Sequence, residues 1–146
     1  MRLYVMALAL ALASCGEAAP TLVDRHEIVG DAIPGALTPD PGSAERGQEI
    51  FAGREQGHCV LCHAVENLDA EFQGNVGPDL TLVGQRLSPG QLRLRIVDYQ
   101  IVRPGTLMPS YYRIHDLYQV ADDYQGEPIL SAQDVEDVVV YLSERR

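Results

Sequence analysis

The residues best equipped for chemistry stand five in a row: Cys59, Val60, Leu61, Cys62 and His63. Two thiols separated by two residues and followed at once by an imidazole match the pattern of covalent haem attachment. In it both sulfurs reach porphyrin vinyl groups, and the His reaches the iron from one side. Two other chemistries use the same residue types. A structural zinc site needs four ligands, usually from two paired clusters, and the chain has no second Cys pair. A thioredoxin-like dithiol expects alternating strand and helix patterns around its cysteines, whereas this motif follows a helical pattern and runs on into loop. The expectation is one haem c per chain, bound through Cys59 and Cys62, with His63 as an axial ligand.

The opposite face of such an iron needs a second ligand or stays open. Met1 and Met6 fall in the N-terminal segment that reads as an export signal, which leaves Met108 as the methionine of the remaining chain, with Pro109 beside it to stiffen the backbone holding the sulfur. The expectation is that Met108 is the second axial ligand; the alternative is a flexible core filler. Among the histidines, His26 sits in a Pro-rich N-terminal stretch and His58 directly precedes Cys59, so His115 is the serious rival. His/Met ligation raises the potential relative to two His ligands and leaves no coordination position for a substrate, which suits an electron relay rather than a catalyst. Gly77-Pro78-Asp79-Leu80 follows the haem motif, and the Pro78 carbonyl could meet the outer nitrogen of His63 and fix its tautomer. Tyr111 and Tyr112 either line the haem edge or a partner surface, or simply pack.

These residues need helices to hold them. Ser43 is a suitable N-cap for a helix through Phe51 that leads to Cys59, with Gly47, Ile50 and Phe51 on adjoining faces. Leu87 to Val102 has helical spacing at Leu92, Ile96 and Tyr99, with Ser88 as cap and Pro89 at the first position, and Pro104-Gly105 ends it. Ser131 and Asp134 form a capping-box pattern ahead of Val135, Val138, Val139 and Leu142, which predicts a C-terminal helix. Between these two, Met108 to Leu130 holds Pro109, Gly126, Pro128 and four tyrosines, and reads as a long ordered loop. The expectation is an all-α domain over residues 43–146, preceded by an extended arm or linker over 15–42 that carries Pro20, Pro34, Pro39 and Pro41.

Residues 1–14 read as an export signal, because the apolar run from Leu3 to Ala13 is far shorter than the roughly 20 residues of a membrane-spanning helix. Leu12-Ala13-Ser14-Cys15 matches a bacterial lipobox, which would make Cys15 a lipidated N-terminus attached to the membrane; the alternative is ordinary cleavage after Ala18. Either way the location is periplasmic. With Cys15 in the signal region, Cys59 and Cys62 are the cysteines of the folded part, and no disulfide framework is available. The formal net charge of −10 excludes nucleic acid as a partner. There is no Lys at all, so any cationic docking contact must come from Arg.

The haem motif, Met108-Pro109 and the Gly47/Phe51 helix crossing a C-terminal helix near Tyr141 resemble class I cytochromes c. A narrower resemblance covers nearly all of the chain beyond the signal, where the order of segments is similar to the SoxX family, the small haem subunits of SoxAX complexes in sulfur-oxidising bacteria. It is carried by Gly57-His58-Cys59 with Cys62-His63, by Gly74 to Pro78, and by Gly90 to Arg93 with Arg95 to Asp98. Met108 to Arg113, and Pro128 to Leu130 through Glu136-Asp137-Val138-Val139, complete it. His58 stands where that family often has Asn, and a lipobox is not something the family requires.

The resemblance implies a class I cytochrome c fold with a long Met-bearing loop, and a heterodimer with a SoxA-like haem subunit. That complex joins thiosulfate oxidatively to a carrier-protein cysteine, the catalytic cysteine-ligated haem lying in SoxA. This chain would relay the electrons to a downstream acceptor such as another cytochrome c. A freestanding periplasmic monohaem carrier is the alternative, and a haem-based gas-binding module, which needs a labile sixth ligand, is a third class.

Overall fold

Ser43 ends a stretch of extended backbone and starts the first helix, α1 (Ala44–Ala52), its hydroxyl accepting from the Arg46 backbone N–H at 3.3 Å. A four-residue helix, α2 (Val83–Arg86), is followed by α3 (Pro89–Val102) and, after a long loop, by α4 (Ala132–Ser143). The computed structural model describes residues 22–146. Among the described residues these helices are joined by loops, three short 3-10 turns and one isolated antiparallel bridge between Val29 and Ala32, with no strand. Both α3 and α4 open on complete capping boxes, Ser88 with Gln91 and Ser131 with Asp134, so the orphan N–H groups at each start are met locally. The export signal and Cys15 lie outside the described residues.

α1 and α4 cross in close contact, and the crossing explains Gly47. A Cβ there would run into the Asp137 carbonyl and the Tyr141 side chain, so only glycine lets the backbones approach this far. Just beyond it, Phe51 and Tyr141 stack at a tilt with ring centroids 5.6 Å apart, both rings fully buried. With Ile50, Val65, Leu94, Val135 and Val138 they make the centre of the core.

Two consecutive acidic residues on α4 tie the rest to it. Asp137 is buried and accepts from the Ser43 backbone N–H at 2.7 Å and from Arg46 at 2.8 and 3.0 Å, which fixes the start of α1. Burial alone would push the Asp137 carboxyl up, but Arg46, the Ser43 N–H and Gln133 together hold it below the usual carboxylate range. Glu136 faces the other way and forms a buried, two-pronged pair with Arg93 of α3, both bonds at 2.7 Å.

That pair also anchors the N-terminal segment. Arg93 donates to the Ile33 carbonyl at 2.7 Å, Glu136 accepts from the Leu37 N–H at 2.9 Å, and the Ile33 N–H donates to the Gly90 carbonyl at 3.0 Å. Ile33 itself is buried in the core. Residues 22–42 therefore lie packed on α3 and α4, and α3 is buried on two faces, one by α4 and one by this segment.

Candidate haem site

α1 delivers the chain through Gly53 to a turn in which His58 takes a left-handed conformation, φ 46° and ψ 37°. From there Cys59 to Leu61 wind into a 3-10 turn, and the Cys59 carbonyl accepts from both the Cys62 and His63 N–H groups, at 3.1 and 2.9 Å. The winding puts both thiols and the imidazole on one tight turn, as two attachments to a single planar group require. Both thiols are free. Burial pushes the Cys59 thiol up to about 12, partly offset by a backbone contact and by the nearby Tyr111 hydroxyl. Tyr111 is raised in turn by its own burial and by the two cysteines.

The next segment folds back as a cradle for His63. The Gly74 N–H donates to the Val60 carbonyl at 2.7 Å, Gly77 to the Cys62 carbonyl at 2.8 Å and Leu80 to the Ala64 carbonyl at 2.8 Å. Gly77 lies flat against the imidazole, so that a Cβ would collide with the ring. His63 Nδ1 sits 2.7 Å from the Pro78 carbonyl oxygen. A carbonyl can only accept, so Nδ1 carries the proton, and in the neutral ring the lone pair is left on Nε2. Pro78 is held from behind: Asp79 accepts from the Thr81 N–H at 2.8 Å, and Arg86 of α2 donates to the Asp79 carbonyl at 3.0 Å. The Thr81 contacts hold the Asp79 carboxyl below its ordinary range.

Met108 lies in the loop after α3, half-buried, its N–H donating to Thr106 Oγ1 at 3.2 Å. The strip that follows runs along α3: the Tyr111 N–H donates to the Ile96 carbonyl at 3.1 Å and the Tyr112 N–H to the Val97 carbonyl at 3.3 Å. The Tyr111 side chain lies near Cys59 and packs with it against the core. Tyr112, Arg113 and His115 turn the other way, into a cavity of about 970 Å³ closed by Leu22 to His26 and Ile28 of the N-terminal segment. His26 joins His115 there. His115 thus lines the cavity under the N-terminal segment, and Tyr111, three residues after Met108, lies near Cys59.

The polypeptide leaves places for a flat, covalently held group. Besides the two free thiols and the lone pair on Nε2, the Tyr141 hydroxyl is buried without a partner. The residues fit a haem. Among the described residues no cluster of three or more His, Cys, Asp or Glu could hold a metal ion on its own, so zinc finds no completed ligand set there.

The model of the cytochrome c family matches residues 44–145, from the first residue of α1 to beyond the end of α4. The chain belongs to the cytochrome c family. Like other members this cytochrome binds haem c covalently, and its fold is the all-α cytochrome c fold. No curated protein matches it. Among solved structures it is similar to SoxXA from P. pantotrophus, with 34% identity and a TM-score of 0.73 over 79% of this chain and 90% of that one. It is also matched to the c-type cytochrome SorU from Sinorhizobium meliloti, at 25% identity and a TM-score of 0.44, over 68% of this chain and 86% of that one. The SoxX resemblance read from the segments therefore has a structural counterpart, and the chain is an electron-transfer haem protein of that kind.

Sequence reasoning found the thiols, His63, Pro78 and Met108 as candidates. It missed the Tyr111 hydroxyl near Cys59 and the anchoring of the Met108 loop on α3, for which the sequence offers little signal beyond Asp98 inside an otherwise regular helix.

Proposed function

We propose that this cytochrome is the electron-relay subunit of a SoxAX-type complex that oxidatively joins thiosulfate to a carrier-protein cysteine. The observation that carries the reading is the 34% identity to SoxXA over 90% of the matched chain. Conjugation of a cysteine thiol with thiosulfate forms one S–S bond and releases two electrons and the thiol proton. The haem, when bound, would supply one-electron chemistry, so the two electrons would leave singly to a downstream acceptor such as another cytochrome c.

Cys59 and Cys62 would hold the haem through thioethers, and His63 would offer Nε2 to the iron, its tautomer supported by the Pro78 carbonyl. Met108 would supply the sixth ligand, supported by the nearness of Tyr111 of its loop to Cys59 and by the place of His115 in the cavity under the N-terminal segment. With His63 and Met108 as its two ligands, this chain's residues would orient and insulate the group and leave sulfur chemistry to the partner. A SoxA-like haem subunit is that partner, and the setting is periplasmic, with Cys15 as a lipid anchor. Among the described residues no helix is long and apolar enough to cross a membrane.

The test is affinity purification of tagged holoprotein from its native cell, followed by thiosulfate-dependent reduction of an added cytochrome c. Copurification of a second haem protein, with activity only when both are present, is expected. A lone chain that shuttles electrons unaided would point to a freestanding carrier. Met108→Ala should abolish the weak far-red charge-transfer band of Met-bound ferric haem and lower the potential; an unchanged band would reject the ligand. Intact mass of the mature protein reads haem and acyl groups together.

A further inference from the structure

α3 is not continuous. At Asp98 the backbone leaves helical space, φ −159° and ψ 90°, and the helix resumes beyond it, the Arg103 N–H donating to the Tyr99 carbonyl at 2.8 Å. The break has two chemical consequences. The Gln100 N–H donates to Asp98 Oδ1 at 3.1 Å, so the carboxylate caps the second half of the helix. The Ile96 and Val97 carbonyls accept from Tyr111 and Tyr112 of the Met108 loop.

Asp98 is buried, and its carboxylate has two further partners, both on that loop. Ser110 Oγ donates to Oδ1 at 2.7 Å and Arg113 Nη1 donates to Oδ2 at 2.8 Å. Ser110 is itself buried and stands two residues after Met108, with Pro109 fixing one of the intervening torsions. The far end of the strip is fastened too, since the Leu130 N–H donates to the Tyr111 carbonyl at 3.0 Å. Among the described residues, the stretch of this loop joined to α3 by both side chain and backbone is thus the one adjoining Met108.

We propose that Asp98 is a positioning residue for the sixth ligand: through Ser110 and Arg113 it clamps the Met108 segment and sets how firmly the sulfur stays on the iron. The inference rests on Met108 being that ligand. Its direction is specific. Loosening the clamp weakens the Met108 side, where an external ligand can enter, and leaves the thioethers and His63 alone.

The experiment is an imidazole titration of ferric holoprotein, followed by loss of the charge-transfer band, with far-UV melting on the same samples. Ser110→Ala removes one hydrogen bond to a buried carboxylate, and it should take up imidazole at a concentration lower by about tenfold or more. Asp98→Asn, which also strips Arg113 of its counter-charge, should go further, and Ser110→Thr, which keeps the hydroxyl, should stay near the parent. Should Asp98→Asn fail to mature, the serine pair decides alone. Ser110→Ala with parental imidazole affinity, whether or not its melting temperature falls, would overturn the proposal and assign the cluster to the fold only. Parental behaviour in Met108→Ala would overturn the ligand assignment and this inference with it; loss of the band in Met108→Ala beside an unmoved Ser110→Ala refutes the clamp alone.

Discussion

Gly77→Ala should raise the reduction potential of the holoprotein. The glycine lies against His63, and a Cβ built there meets Nδ1 at 2.6 Å and Nε2 at 2.8 Å, where ordinary contact begins at 3.4 Å. Either the ring or the loop must give way by about 0.8 Å, judged from the Nδ1 contact. Applied to the 2.7 Å bond between Nδ1 and the Pro78 carbonyl, that retreat takes it beyond hydrogen-bonding range. The bond makes the imidazole a stronger donor, which favours ferric iron, so losing it favours the ferrous form. Partners of this kind are worth about 10- to 100-fold in metal affinity. At about 59 mV per tenfold for one electron, the rise has an upper bound of roughly 60 to 120 mV if all the loss falls on the ferric state. Spectroelectrochemical titration of matured protein reads it directly. Pro78→Ala keeps the carbonyl and should titrate close to the parent. A Gly77→Ala protein that carries haem and titrates at the parental potential would refute the reasoning.

Three further outcomes follow from the framework around the site. Arg93→Ala leaves Glu136 as a buried carboxylate with only the Leu37 N–H and frees the Ile33 carbonyl, so urea unfolding of the holoprotein should show a loss of about 3–5 kcal/mol. Proteolysis between residues 22 and 42 should quicken at the same time. Asp137 has a folded pKa below its ordinary value of 3.8, so its contribution is complete above that value and is lost as the pH falls through the lower folded value. Asp137→Asn should therefore be less stable at neutral pH and show a flatter acid limb, and a parallel limb would refute the assignment. Gly47→Ala forces a methyl into the Asp137 carbonyl at the α1–α4 crossing, and calorimetry should show destabilisation of about 1–3 kcal/mol with lower yield of haem-loaded protein.

What was legible in the sequence depends on how local each cause is. The Cys-Cys-His turn, the caps at Ser43, Ser88 and Ser131, and the crossing at Gly47 arise from residues a few positions apart or from one glycine with one role, and the structure has helices starting after each cap. The Pro78 carbonyl was reachable because proline fixes φ in a segment that soon follows the haem motif, while Gly77 leaves the room that the imidazole fills. The long-range ties were hidden by residue type. Arg93 and Asp98 look like solvent-facing positions of an amphipathic helix with a stripe at Leu92, Ile96 and Tyr99, yet both are buried, because partners far along the chain cover them. Ile33, in a Pro-rich stretch read as an arm, is 1% exposed for the same reason.

The hidden residues share a logic that bears on electron transfer. Glu136 and Asp137 each spend a buried carboxylate on joining α4 to something else, Arg93 and the N-terminal segment in one case, Arg46 and the start of α1 in the other. Asp98 does the same between α3 and the Met108 loop. Buried ion pairs are poor sources of net stability but hold one geometry against its neighbours, since a slipped register strands a charge. A relay whose iron must keep both axial ligands through each change of charge gains from such fixity, because a ligand that stays in place leaves little to reorganise when an electron arrives. If that is the use of the three carboxylates, Asp98→Asn should slow electron exchange with a small redox partner more than Asp137→Asn of matched stability loss. Equal slowing would mean that rigidity near the Met108 loop has no special part in the transfer.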